Sequence, residues 1–223
     1  MGIKYTNMQS FFKKKELDIS KLGFFNTKNT IKVSYWQPSG NIRYTRNEGF
    51  KCIEEEHKDK ARQFIRSIKR DKAEIAITPE YSLPVSILED ILDDKTKELH
   101  PAWGKLWCFG IEAISSAEMK RICSKYNEEE HDDIQFIVEN LDILNDNYFY
   151  SCVAYIFLGA KKVICVLQLK TTPAADKDMT LESNALTLGV RRHIVGGTNR
   201  TLISVKTTSR LCRIGACRRL SAE

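Results

Sequence analysis

Ile75-Ala76-Ile77-Thr78-Pro79-Glu80-Tyr81-Ser82 is the stretch on which the fold is decided. Three apolar residues with β-branched ends form a short strand, and Pro79, which has no N–H to offer a ladder, stops it. Glu80 then stands at the carboxyl end of that strand, where open α/β folds place their ligands. Two readings of Glu80 follow. It is either a helix-start carboxylate favoured by the helix dipole or a group that faces a site. The helix that would supply the dipole begins at Val85 and runs to about Leu92.

Outward from this point the elements alternate. Upstream, residues 31–37 alternate apolar and polar as a strand does, and Pro38-Ser39-Gly40-Asn41 ends the run. Residues 54–70 turn helical, with Ala61, Phe64, Ile65 and Ile68 on one face and Lys and Glu on the other. Downstream, 106–111 reads as a buried strand and 117–127 as a helix. Two strands, 148–158 and 162–169, follow in antiparallel succession about the turn Gly159-Ala160-Lys161. A polar loop containing Glu182 and Gly189 leads to a last strand, 201–205. This succession predicts an α/β domain that turns to hairpins in its second half. Residues 1–30 lack a clear period and read as an N-terminal extension.

Composition narrows the class. The 223 residues are 42% hydrophobic and 29% charged, a balance that builds one ordinary core. No apolar run approaches the roughly 18 residues of a membrane span, and the N-terminus lacks a signal-peptide core, so a cytoplasmic protein without membrane partners is expected. Seven cysteines, an odd number with no C-x-x-C pair, read as free thiols in a reducing compartment. The four histidines are isolated in the sequence, and neither a metal site nor a cofactor is expected. Net charge is +6, but residues 206–223 carry five basic residues against Glu223 alone, +4 of that total. Nucleic-acid binding is therefore not expected of the domain and would be at most a property of the tail.

The motifs, taken in order, resemble the nitrilase, or carbon–nitrogen hydrolase, superfamily. Residues 75–82 resemble its apolar strand ending in Pro-Glu and an aromatic residue. Residues 106–110 resemble its strand ending in Gly, and the hairpin 148–169 resembles the pair that runs into a lysine, here Lys170 in Gln168-Leu169-Lys170-Thr171. Leu181-Glu182-Ser183 through Leu188-Gly189 is similar to a further family segment. The resemblance spans residues 31–205. It implies a four-layer αββα sandwich, self-association, and a small amide or nitrile as substrate. In that chemistry a thiolate attacks the carbon, a carboxylate acts as general base and an ammonium stabilises the oxyanion. The resemblance assigns these roles to Glu80 as base, Lys170 as stabiliser and Glu182 as a second, orienting carboxylate. On its own, without Glu80, Lys170 reads as a strand-end lysine that snorkels to water.

One member of the set is missing. The family's cysteine follows an apolar strand directly, and here the strand 201–205 is followed by Lys206 and Thr207. Cys212 and Cys217 stand further on, in an aperiodic Arg-rich run. The expectation is a sandwich whose second half is incomplete, with 206–223 an aberrant basic tail produced by loss of the native reading frame. Such a chain is a catalytically incomplete hydrolase, or a binding or regulatory module that keeps the fold.

Overall fold

The computed structural model describes residues 4–7, 22, 31–127, 131–138, 149–170, 186, 191–196 and 202–203. In chain order the elements are β1 (Lys4–Asn7), β2 (Val33–Tyr35), β3 (Ile42–Thr45), β4 (Gly49–Cys52), α1 (His57–Arg70), β5 (Ile75–Ile77), α2 (Val85–Leu92), β6 (Leu106–Ser115), α3 (Ser116–Asn127), β7 (Ile134–Val138), β8 (Phe149–Leu158), β9 (Val163–Leu169), β10 (Arg191–Gly196) and β11 (Leu202–Ile203). The fold is mixed α/β, as the alternation of the sequence predicts.

Its centre is a six-stranded mixed sheet in the order β2-β5-β6-β8-β9-β7. β2, β5 and β6 pair in parallel, β8 is antiparallel to both β6 and β9, and β7 is parallel to β9. Five strands therefore run one way and β8 alone runs back. The carboxyl ends of β5 and β9 consequently lie along the same edge of the sheet.

Both faces of this sheet are buried, which explains why β8 and β9 read as continuous apolar runs. On one face Trp107, Phe109, Ala154, Ile156 and Leu167 pack against the three helices through Ile65, Leu88 and Ile122. On the other, Leu106, Cys108, Val153, Tyr155 and Val166 form a second cluster, onto which Leu22 and Ile31 pack. Alternate residues of β6 thus serve opposite layers, the period-2 signature of a strand covered on both sides.

Helix α1 begins at His57, three residues later than the periodicity predicts, because Glu56 adopts a left-handed backbone (φ 57°) that holds the preceding turn out of the helix. Its buried stripe is His57, Ala61, Ile65 and Ile68, so a histidine extends the expected apolar face while Phe64 is only partly covered. β6 continues to Ser115, well past the predicted residue 111, with a register shift between Ile111 and Ile114. Several strands go beyond the sequence reading: the hairpin β3–β4, closed by a turn leading to Gly49 at φ 70°, β7, an edge strand beside β9, and β10, which falls where a polar loop is expected. The N-terminal extension also contributes a strand, since β1 pairs in parallel with β10, which in turn pairs with β11. Among the described residues no helix is long and apolar enough to cross a membrane.

Candidate functional site

The Pro79-Glu80 loop is a local departure from the sheet. β5 ends at Ile77, and the chain rejoins only at Leu83, which bridges Ile111 in parallel. Between these points the loop is fastened to β6. The Thr78 N–H donates to the Cys108 carbonyl at 3.1 Å, and those of Ser82 and Leu83 both donate to the Gly110 carbonyl, at 3.1 and 2.8 Å. The Gly110 N–H in turn donates to Thr78 Oγ1 at 3.0 Å.

Gly110 is what allows this attachment. A Cβ there would lie 2.0 Å from the Pro79 carbonyl oxygen and 2.8 Å from Glu80 Cα. Only a residue without a side chain lets the loop cross over β6 so closely. Tyr81 completes the turn in a left-handed conformation, φ 59°, and its ring stacks on Phe50 at 5.1 Å. A β4 residue thereby holds a strained backbone in place.

Lys170 reaches the same point from the other side. It follows β9 directly, with its N–H donating to the Ser151 carbonyl at 2.8 Å, and it is 1% exposed. Its Nζ donates to Glu80 Oε2 at 3.0 Å and lies 5.9 Å from the Tyr81 ring centroid, within cation–π range. β5 and β9 are three inter-strand spacings apart, about 14 Å, more than a lysine side chain spans. The crossing over Gly110 shifts Glu80 toward β9, so the ion pair depends on the loop as much as on the strands.

The structure therefore brings two of the three assigned residues together. Glu80 and Lys170 form a buried carboxylate–ammonium pair at the carboxyl edge, and neither the helix-start reading of Glu80 nor the snorkelling reading of Lys170 describes them. Glu182 lies outside the described residues, as do Thr207, Cys212 and Cys217. Leu186, a few residues after Glu182, is buried in a small cluster with Phe50, Tyr81 and Ala113 and bridges Phe149.

Charge and thiol chemistry set what the site can do. The Lys170 ammonium lies 3.0 Å from the Glu80 carboxylate, the type of group a general base requires. The cysteines of the described residues are poor nucleophiles. Burial pushes the thiols of Cys108 and Cys152 up to about 12 and that of Cys123 to about 11, and burial also raises Cys165 and Cys52. One further carboxylate escapes the sequence motifs. Glu112, on β6 two residues past Gly110, accepts the N–H of Val85 at 2.8 Å and so satisfies the start of α2. Burial raises its pKa, against the opposing effect of that bond.

The same region gathers a second set of side chains that the sequence spacing did not reveal. Cys52, Glu54 and His57 present a thiol, a carboxylate oxygen and a ring nitrogen all within 4.8 Å of one another. No family model matches this chain, and no curated protein or solved structure matches it.

Proposed function

We propose that this chain carries a nitrilase-type site for small amides or nitriles, with Glu80 as general base and Lys170 as oxyanion stabiliser. The observation that carries the reading is the buried Lys170–Glu80 contact at 3.0 Å, held at a common strand edge by the crossing over Gly110. A carboxylate and an ammonium kept side by side out of water suit addition to a polarised C–N carbon: one takes the attacking group's proton and the other meets the charge that develops on oxygen or nitrogen. The six-stranded sheet, buried on both faces, supports a sandwich in which a second sheet covers the face opposite the helices. Glu182 as orienting carboxylate, and self-association of the protein, belong to the same proposal by resemblance.

Turnover in that chemistry also requires a thiolate. Burial raises the thiols of Cys108, Cys123, Cys152 and Cys165, and that of the half-buried Cys52 too, and Thr207 stands where the resemblance places the nucleophile. We therefore assign the chain as catalytically incomplete, a site that binds without turnover. The raised thiols also favour the companion reading, a binding or regulatory module on a hydrolase fold.

Calorimetric titration of the full chain with small primary amides and carboxylates tests the reading. Saturable binding that is lost in E80Q and K170M is expected, and absence of binding by the unaltered chain overturns the assignment. Intact-mass labelling with electrophilic nitriles tests the missing nucleophile. A single adduct on Cys212 or Cys217 that disappears in E80Q would show a working, displaced thiol.

A further inference from the structure

Hairpin β3–β4 delivers Cys52 at the end of β4, the turn through residues 53–56 carries Glu54, and α1 opens on His57. The left-handed backbone at Glu56 curls the chain so that His57 turns back toward Cys52 and Glu54. Gly40 leaves room for this cluster, since a Cβ there would lie 2.7 Å from Cys52 Sγ and 2.5 Å from Glu54 Cβ.

The hydrogen bonds around the cluster leave particular atoms facing inward. His57 is 8% exposed. Its ring stacks on Trp36 at 5.4 Å, and its Nε2 lies 2.7 Å from the Ser82 carbonyl. A carbonyl can only accept, so Nε2 donates to it, and Nδ1 is the ring atom left facing Glu54. Glu54 Oε1 is taken by Ser39 Oγ at 2.6 Å and by Lys60 Nζ at 2.7 Å. Its Oε2 lies 3.6 Å from His57 Nδ1, and both atoms are buried without a hydrogen-bond partner.

Two buried polar atoms left unsatisfied face to face are costly unless a further group lies between them. A direct hydrogen bond between them would need about 2.7–2.9 Å, shorter than the 3.6 Å seen. A metal ion holds its ligands further apart. Zinc–nitrogen and zinc–oxygen distances of about 2.0–2.1 Å at tetrahedral angles put N and O roughly 3.3 Å from each other, close to the separation seen. The third donor is a thiol. Thiolate with imidazole and carboxylate selects zinc or a similar borderline ion over magnesium or calcium.

We propose that Cys52 Sγ, Glu54 Oε2 and His57 Nδ1 bind a divalent transition-metal ion of the zinc type. Binding breaks the Cys52 S–H bond, forms the sulfur–metal bond and releases the proton to solvent. The thiolate and carboxylate set two negative charges against the dication, with the Lys60 ammonium remaining on the outer oxygen of Glu54. The Ser82 carbonyl acts as the outer partner that fixes the imidazole tautomer, and water or an incoming ligand takes the fourth position. Because Ser82 closes the Glu80 loop, the metal lies one hydrogen bond away from that loop. The proposal stands independently of the nitrilase-type reading.

Cobalt(II) and zinc(II), added to the metal-stripped full chain, provide the test. One equivalent of cobalt is expected to produce a thiolate-to-cobalt charge-transfer band. The band should be lost in C52S and H57Q and retained in C212S/C217S. In the unaltered chain, one equivalent of zinc is expected to slow alkylation of Cys52 by about tenfold or more, leaving the other thiols unchanged. This second measurement needs no variant to fold. Absence of the band, its persistence in C52S, or a Cys52 alkylation rate indifferent to zinc overturns the proposal.

Discussion

Lys170 and Glu80 illustrate how costly half of a buried pair becomes when it stands alone. Removing the ammonium leaves a nearly buried carboxylate uncompensated, and K170M is expected to lose about 3–5 kcal/mol of stability in urea unfolding. The double variant E80L/K170M, which removes both charges, should recover much of that loss; a double variant as unstable as the sum of the singles would show that the two side chains do not act as a pair. Gly110 acts by having no side chain. G110A must push the Pro79 carbonyl away, so a loss of about 1–3 kcal/mol is expected, together with weakened ligand binding as Glu80 moves off Lys170. Unchanged unfolding midpoints would show that the loop yields more easily than its hydrogen bonds suggest. Glu80 and Lys170 are legible in the sequence because each closes an apolar strand. Cys52, Glu54 and His57 are not, since a cysteine and a histidine five residues apart across a strand end, a turn and a helix start fit no linear metal spacing. Only the backbone turn at Glu56 brings them together.

Between elements, α2 and α3 are joined by charge as well as by their apolar faces. Arg121 donates to both carboxylate oxygens of Glu89, at 3.0 and 2.8 Å, and Lys125 bridges Glu89 and Asp93. The Arg121 bonds hold the Glu89 carboxyl below the usual carboxylate range, with Lys125 adding to them. A depressed folded-state pKa stabilises the protein above the unfolded value, near 4.5, and that stabilisation disappears as pH falls through the folded value. E89Q should therefore cost about 0.5–1 kcal/mol at neutral pH. The difference from the unaltered chain should shrink toward zero in acid melts below about pH 4.5, and a pH-independent difference would contradict the assignment. The helices and the β8–β9 hairpin follow from periodicity and apolar runs. Hairpin β3–β4 escapes notice because Ile42–Thr45 and Gly49–Cys52 are only four residues each and mix apolar with charged and polar residues. β7 escapes because its partner β9 lies well downstream, and parallel pairing leaves no local turn signal.

Across the whole molecule, the sheet's two buried faces sort the thiols into a graded probe. Cys108 and Cys152 lie on opposite faces, both fully buried with pKa values pushed to about 12, whereas Cys52 is half-buried. Among the described thiols, native-state alkylation should modify Cys52 first. Cys108 and Cys152 should react at one shared rate, set by global unfolding and rising with urea as the unfolded population does. Separate rates for these two would mean that the layers open independently. The order of elements and the mixed class are legible at this scale. The strand order is not, because which strands become neighbours depends on crossovers that sequence periodicity does not encode. That order has a consequence during synthesis. Glu80 and Lys170 are 90 residues apart in the chain, and a ribosome adding roughly 5–20 residues per second delivers the lysine some 5–18 s after the glutamate. Through that interval the nascent β5 loop carries a charge with no counterpart, and the ion pair can close only once the hairpin has emerged from the exit tunnel.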